Sequence, residues 1–286
     1  MSTASSPVSA PLPSEAELQA LMSCAHDLAD LARGLSLQWF GQPLTVDIKA
    51  DDSPVTLADR GVEAALREHL AGRHPRHGIL GEEHGRERLD AEYVWVIDPI
   101  DGTRSFISGL PLWGTLLALL HHGRPVLGLV DVPALGERWS RALGGPTRHR
   151  NDHRAPGRQD LCRTSGLTEL SRARLYATSP DIFSAAQFEA FQRLTAQVAM
   201  RRYGGDCYAY GLLASGQVDL VVEAGLQPYD YLSMVTVIEG AGGVITDWAG
   251  QPLTMHSEGD VVAAASPELH RLALGVLGVL GVLAGT

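Results

Sequence analysis

Lysine is almost missing from this chain of 286 residues: Lys49 is the sole one, and the other basic side chains are arginine or histidine. Lys and Arg together number 23 against 33 Asp and Glu, for a formal net charge of −10. A general binder of nucleic acid or of an anionic membrane needs the opposite balance, so neither is expected as a partner. Cysteine is scarce too. Cys24, Cys162 and Cys207 are odd in number and far apart with no CxxC pair, which argues against a disulfide scaffold or structural zinc and suits a reducing cytoplasm. Long apolar runs are also lacking. Residues 272–284, with their GVL repeat, fall short of the ~20 residues a membrane-spanning helix needs and read as a buried or frayed terminal helix. Residues 1–13 are rich in Ser, Pro and Ala, lack the basic and apolar regions of a signal peptide, and read as a flexible tail.

What is present suits a layered α/β protein. Residues 15–35 place Leu18, Leu21, Met22, Ala25, Leu28, Leu31 and Ala32 at helical spacing behind Ser14 as N-cap. An extended stretch, 53–56, leads into a second helix over 57–70. Residues 78–81 read as a strand running into Glu82-Glu83, and 93–97 as a buried strand that stops at Asp98-Pro99. Two more strands, 116–120 and 126–132, flank the turn His122-Gly123-Arg124. The stretch 144–163 is polar and rich in Arg and His, and reads as an exposed loop between two halves. Beyond it come a strand over 175–178, helices over 185–198 and 208–214, and a strand over 218–223. A helix after Pro228-Tyr229-Asp230 and a strand over 244–247 follow. The expected division is a tail over 1–13, an N-terminal metal- and phosphate-binding α+β half over 14–147, and a C-terminal α/β half over 148–286 that completes a substrate pocket.

The acidic residues are placed suggestively. Glu82 and Glu83 follow one strand, Asp98 and Asp101 another, Asp230 opens a helix, and Asp59 lies in a first helical turn. Carboxylates brought to one region repel each other's charge, and a hard dication with oxygen ligands, Mg2+ or Mn2+, resolves the repulsion. Gly102-Thr103 adds a close backbone approach and the unpaired N–H groups of a helix start, which suit phosphate. The Thr103 hydroxyl can orient a water, with Asp59 accepting its proton. Acids and amide cradle together describe metal-assisted phosphoryl transfer.

These residues are also recognisable. Trp95-Val-Ile-Asp-Pro-Ile-Asp-Gly-Thr103, preceded by Gly81-Glu-Glu83, resembles the metal-binding signature of the inositol monophosphatase family. Pro54-Val-Thr-Leu-Ala-Asp59 resembles the family's PVTxAD element, with Lys49 in the position of its active-site-proximal lysine. Gly225-Leu-Gln-Pro-Tyr-Asp230, Glu239-Gly-Ala-Gly-Gly243 and Thr246-Asp-Trp-Ala-Gly250 resemble its second signature. The resemblance spans about 14–267 and implies the five-layered αβαβα sandwich of the sugar-phosphatase superfamily, normally a homodimer. It implies two or three Mg2+, with Mn2+ as a substitute, held by Glu82, Asp98, the Ile100 carbonyl, Asp101 and Asp230. Gly102 and Thr103 would hold the phosphate by backbone N–H groups. Thr103, paired with Asp59 and close to Glu82, would activate the water, with Lys49 and Glu83 in support. Lithium inhibition belongs to the same expectation.

The substrate is read from departures within that resemblance. Gly205-Asp206-Cys207 stands where inositol-specific members often carry a small Gly-Thr-Ala turn, and Tyr229 stands before Asp230 where many have Trp. Residues 203–210, 212–223 and 228–230 resemble the histidinol-phosphate phosphatase branch. A carboxylate suits a cationic alcohol better than a neutral polyol, so Asp206 and Glu223 become candidates for the amine and imidazole of histidinol phosphate. Arg202 is expected to approach the phosphate or brace Glu223, and helix N-capping is the structural alternative for Asp206. The expected activity is Mg2+-dependent hydrolysis of this small phosphorylated metabolite in cytoplasmic histidine biosynthesis. The alternatives are inositol 1-phosphate or another sugar phosphate, then a 3′(2′),5′-bisphosphate nucleotide, then a non-catalytic phosphate-ligand protein. His121-His122 reads as a turn pair rather than a zinc site, Trp95 and Trp113 as core, and Cys207 as pocket wall.

Overall fold

In the computed structural model, which describes residues 11–43, 45–48 and 54–278, α1 (Glu15–Trp39) starts where Ser14 accepts the Glu17 N–H at 3.3 Å. It buries Leu18, Leu21, Ala25, Leu28 and Ala32 along one face. A two-stranded sheet, β1 (Val46–Ile48) with β2 (Pro54–Thr56), precedes α2 (Leu57–Arg73), β3 (Gly78–Gly81) and β4 (Gly85–Glu87). Next come β5 (Tyr93–Asp101), the one-turn α3 (Thr103–Ser108), β6 (Gly114–His121), β7 (Arg124–Val132), β8 (Glu137–Ala142), β9 (Arg148–Asn151) and β10 (Gln159–Leu161). The rest of the chain forms β11 (Arg174–Ala177), α4 (Ala185–Thr195), β12 (Met200–Tyr203), α5 (Asp206–Ala214) and β13 (Leu220–Glu223). It closes with α6 (Pro228–Gly240), β14 (Val244–Thr246), β15 (Val261–Ala264) and α7 (Pro267–Leu277).

Two large sheets carry the fold. The first has the order β10-β9-β8-β7-β6-β5-β3-β4 and is antiparallel except between β3 and β5. The second has the order β12-β11-β13-β15-β14, with β11 parallel to both neighbours. Alternation sorts the side chains between layers. Trp95, Ile97, Leu117 and Leu119 face α1 and α2, whereas Val94, Val96, Leu116 and Ala118 face α5 and α6. Val221, Val261 and Ala263 cover the other side of those two helices, and Leu220, Val222, Val262 and Ala264 turn to α4 and α7. The layers are therefore helix, sheet, helix, sheet, helix: the αβαβα sandwich expected from the motifs. Trp95 and Trp113 are fully buried in the core.

Two expectations change. The polar stretch 144–163 is not simply a loop: it supplies β9 and β10, which extend the first sheet past residue 147 to Leu161. Its polarity suits an edge exposed to water, and its charges find partners, His149 with Glu137 at 3.1 Å and Arg150 with Asp152 at 3.1 Å. The fifth strand does not stop at Asp98 but runs on to Asp101. A buried ion cluster also ties α1 to this sheet. Asp131 accepts Arg33 at 2.6 Å and Arg138 at 2.6 Å, and Arg138 reaches back to Asp30. No helix among the described residues is long and apolar enough to cross a membrane.

Candidate active site

Pro99 has no N–H for a strand ladder, and the register of β5 against β6 slips between Asp98 and Asp101. That irregularity lets both carboxylates reach one point at the end of the strand. The start of α6 brings Asp230 there. Carboxylate oxygens of Asp98, Asp101 and Asp230 all lie within 4.8 Å of one another. Glu82, one residue past β3, is in hydrogen-bonding contact with Asp98, as is Asp230. Backbone amides aim the carboxylates: Ile100 N–H donates to Asp98 Oδ1 at 3.0 Å, Cys207 N–H to Asp101 Oδ2 at 2.8 Å, and Gln227 N–H to Asp230 Oδ2 at 2.7 Å.

The electrostatic cost of this gathering is visible in the titration of the acids. Burial, then the charges of Glu82, Asp101 and Asp230, push Asp98 well above the usual carboxylate range. Burial and Asp206 raise Asp101 to about 7, against the lowering pull of the Cys207 N–H. Burial and Asp101 raise Asp230 well above its usual value. Two carboxylates that hydrogen-bond to each other must share a proton unless a cation replaces it. The donor set is all oxygen, and a hard dication fits it.

Thr103 stands beside this cluster at the start of α3. Its Oγ1 lies 3.2 Å from the Ile100 carbonyl and 3.4 Å from Asp59 Oδ1. Asp59 is the third residue of α2 and closes a capping box there. Its Oδ2 accepts the Thr56 hydroxyl at 2.6 Å and the Thr56 N–H at 2.8 Å, which turns Oδ1 toward Thr103. Gly102 adopts φ +78°, a left-handed conformation that suits glycine, and packs against Asp206.

Asp206 is not the N-cap of α5; Gly205, buried against Ala209 and Tyr176, occupies that position without a side-chain cap bond. The Asp206 carboxylate instead accepts the Ser105 hydroxyl at 2.5 Å, and burial raises its pKa against the lowering pull of Ser105 and Arg104. Glu223, at the end of β13, is buried, and its Oε1 accepts the Thr178 N–H at 2.9 Å and hydroxyl at 3.0 Å. Its Oε2 has no hydrogen-bond partner among the described residues, and neither has the buried Tyr210 hydroxyl. Burial and the charges of Asp206 and Asp101 raise Glu223 to about 8, despite Thr178.

The expected brace from Arg202 is not seen. Arg202 is exposed on β12, and Thr178 takes its place because β11 lies beside β13 in the sheet. Cys207 is a buried wall residue whose thiol is pushed well up by burial and Asp101. Lys49 lies outside the described residues, and the Glu83 N–H is held by Glu63 at 2.6 Å. Ser105, Thr178 and Tyr210 were not legible in the motifs. Thr56 is not singled out by them either, although its Thr-x-x-Asp spacing to Asp59 is a capping pattern visible in the sequence.

The fold and this acidic site define a phosphatase class, and the chain belongs to the inositol monophosphatase family, whose sequence profile matches residues 17–278. Histidinol-phosphatase relatives at 33–38% identity support the histidinol-phosphatase branch of the family, which residues 203–210, 212–223 and 228–230 resemble. It is 43% identical over 270 residues to a chloroplastic bifunctional phosphatase of Arabidopsis thaliana, covering 91% of this chain and 76% of that protein. It is 38% identical over 225 residues to a histidinol-phosphatase of Mycobacterium tuberculosis, covering 78% of this chain and 85% of that protein. Among solved structures, an inositol monophosphatase from Zymomonas mobilis superposes with a TM-score of 0.82 at 41% identity, covering 93% of this chain and all of that one.

Proposed function

We propose that this chain hydrolyses L-histidinol phosphate to L-histidinol and inorganic phosphate, with Mg2+ as cofactor. The observation that carries the substrate is the buried Glu223 carboxylate, with Oε2 unpartnered among the described residues and Asp206 close enough to perturb it. A buried carboxylate without a counter-charge is costly, and an ammonium or imidazolium group offsets that cost where a neutral polyol does not. The histidinol-phosphatase relatives support the same reading. A second reading, hydrolysis of inositol phosphate, is favoured by the 41% identity to the Zymomonas mobilis protein.

In the proposed reaction Glu82, Asp98, Asp101, Asp230 and the Ile100 carbonyl would hold two or three Mg2+. Bound there, Mg2+ supplies Lewis acidity that neutralises phosphoryl charge and lowers the pKa of water. The N–H groups of Gly102 and Thr103, at the start of α3, hold the phosphate oxygens. Thr103 Oγ1 accepts a hydrogen bond from the attacking water and passes its own proton toward Asp59 Oδ1, 3.4 Å away. Thr56 keeps Asp59 in that orientation. Water attacks phosphorus in line, the P–O bond to the alcohol breaks, the leaving oxygen takes up a proton from solvent, and no phospho-enzyme forms. Asp206 and Glu223 orient the leaving alcohol through its cationic groups.

The test is phosphate release from histidinol phosphate, inositol 1-phosphate and 3′-phosphoadenosine 5′-phosphate, compared as kcat/KM. A preference of about a hundredfold for histidinol phosphate, ~2.7 kcal/mol of transition-state binding, is expected. A flat profile or a preference for inositol phosphate overturns the substrate and leaves the phosphatase site standing.

A further inference from the structure

A second cluster of metal-ligating side chains lies at the other end of β5 and β6. Glu92 immediately precedes β5, and His121 ends β6. The hairpin to β7 turns through His122 and Gly123, with φ of 47° and 78°, the signs of a two-residue type I′ turn. That reversal prevents the two histidines from pointing to opposite faces, as neighbours on a strand would. Their rings instead meet edge to face with centroids 4.4 Å apart. The His122 N–H donates to the Glu92 carbonyl at 2.9 Å, which fixes Glu92 beside the turn. One ligand atom from each of Glu92, His121 and His122 lies within 4.8 Å of the other two.

We infer that Glu92, His121 and His122 form a binding site for a borderline transition-metal dication, Zn2+ in the first instance, separate from the oxygen-only site at Asp98, Asp101 and Asp230. The distances suit a metal better than a hydrogen bond. His121 Nε2 lies 3.3 Å from Glu92 Oε1, longer than a charge-assisted N–H···O bond. Ligand atoms ~2.0–2.1 Å from a tetrahedral zinc are about 3.3 Å apart, so this pair already spans one edge of a coordination tetrahedron. Two imidazoles and a carboxylate leave the fourth position to water, and imidazole donors select zinc over magnesium. His121 is buried with its ring 4.9 Å from that of Tyr93, whereas His122 and Glu92 are exposed and give the ion a way in. Among the described residues the side chain that meets the Glu92 carboxylate is His121, not an arginine that would hold the carboxylate away. An ion bound here pins the start of β5 to the end of β6. The six residues from Glu92 to Asp98 put it roughly 20 Å along the strand from the acidic site, so it acts as a staple and not in the reaction.

The experiment titrates the full chain with Zn2+ in saturating Mg2+, reading bound zinc by equilibrium dialysis and the melting temperature by calorimetry. The expected result is one zinc per chain with a rise in melting temperature, as for any ligand that binds only the folded state. His122→Ala and Glu92→Gln, both at exposed positions, should each weaken zinc binding by about tenfold or more and abolish the rise. Their zinc-free melting temperature and Mg2+-supported turnover should stay at the wild-type level. Co2+ in place of zinc should give the intense visible band of tetrahedral coordination, lost in His122→Ala. The inference is overturned if no zinc binds beside saturating Mg2+, or if both variants bind it with wild-type affinity, which would place the ion in the carboxylate site.

Discussion

The Glu63 carboxylate, carried by α2, accepts the backbone N–H of Glu83 at 2.6 Å and so fixes the turn that presents Glu82 to the acidic site. Its Oε1 also takes the His84 N–H at 3.1 Å and Arg67 Nε at 2.7 Å, while Arg67 Nη2 reaches the Gly85 carbonyl at 2.5 Å. A side chain at Gly81 would land on that carboxylate, which is why the turn begins with glycine. Asp59 lies one helical turn before Glu63. One helix therefore positions both the carboxylate beside Thr103 and the turn that carries Glu82.

Glu63→Ala should strip two part-buried backbone N–H groups and Arg67 of their acceptor, at about 0.5–1.5 kcal/mol for each bond lost where water can reach the donor. We expect a lower melting temperature and, because Glu82 is freed, a higher Mg2+ concentration at half-maximal thermal protection. Glu63→Gln, which keeps one acceptor oxygen, should fall between. Unchanged Mg2+ dependence in Glu63→Ala would reduce Glu63 to a purely structural residue.

Asp101→Asn tests the acidic site itself. The substitution removes a charge at the centre of the cluster while sparing the Cys207 N–H an unpaired state, so the fold should survive. Turnover should fall by about a hundredfold or more, since a proposed metal ligand and its charge vanish together. Phosphate release at the wild-type rate, with the circular dichroism spectrum intact, would remove Asp101 from the site.

Much of this arrangement could be read from the chain because its determinants are local. The apolar runs of β5 and β6, the spacing of Leu18, Leu21, Ala25 and Leu28 on α1, and the acids of the 95–103 motif each lie within one short segment. What escaped depends on pairing between distant segments. Arg148, His149 and Arg150 have no apolar alternation, so β9 looks like loop until β8 lies beside it. Val261–Ala264 is buried on both faces and built of small residues, a pattern that does not separate strand from helix. Thr178 meets Glu223 only through sheet neighbours, and Glu92 meets His121 only where β5 and β6 pair. Glu63 with Arg67 reads as an ordinary surface pair at i and i+4 until its burial is known.

The raised acids make stability depend on pH in a definite sense. Asp101 is pushed up to about 7 and Glu223 to about 8, mainly by burial, against ~4 for carboxylates in an unfolded chain. The native state therefore keeps protons that the unfolded chain has released, and stability falls as pH rises toward those values. His26 and His77, lowered to about 4 by burial, work in the opposite sense, but only below the ordinary imidazole value of ~6.5. Between pH 7 and 8 the acids act without them. In EDTA the melting temperature should fall across that window, by up to ~1.4 kcal/mol in stability per pH unit for each retained proton. Mg2+ should flatten the slope, because it holds its ligands ionised, and should stabilise more at pH 8 than at pH 7. A melting temperature in EDTA that is level or rising over this window would contradict the buried-acid description.

Asp206 is where the proposed substrate preference is most exposed to test. Its carboxylate is tethered by the Ser105 hydroxyl at 2.5 Å and packs on Gly102. Its charge also raises Asp101, so Asp206→Asn acts in two ways. The relief of Asp101 alters the reaction for every phosphate ester alike. The loss of a charge-assisted hydrogen bond, about 1.5–3 kcal/mol, is felt only by a substrate with a cationic leaving alcohol. We therefore expect kcat/KM for histidinol phosphate to fall about ten- to a hundredfold further than for inositol 1-phosphate. Ser105→Ala, which loosens the tether and keeps the charge, should cost much less discrimination. Equal losses on both substrates in Asp206→Asn would make Asp206 a support for Gly102 and Asp101, and would leave the cationic group of the substrate to Glu223 alone.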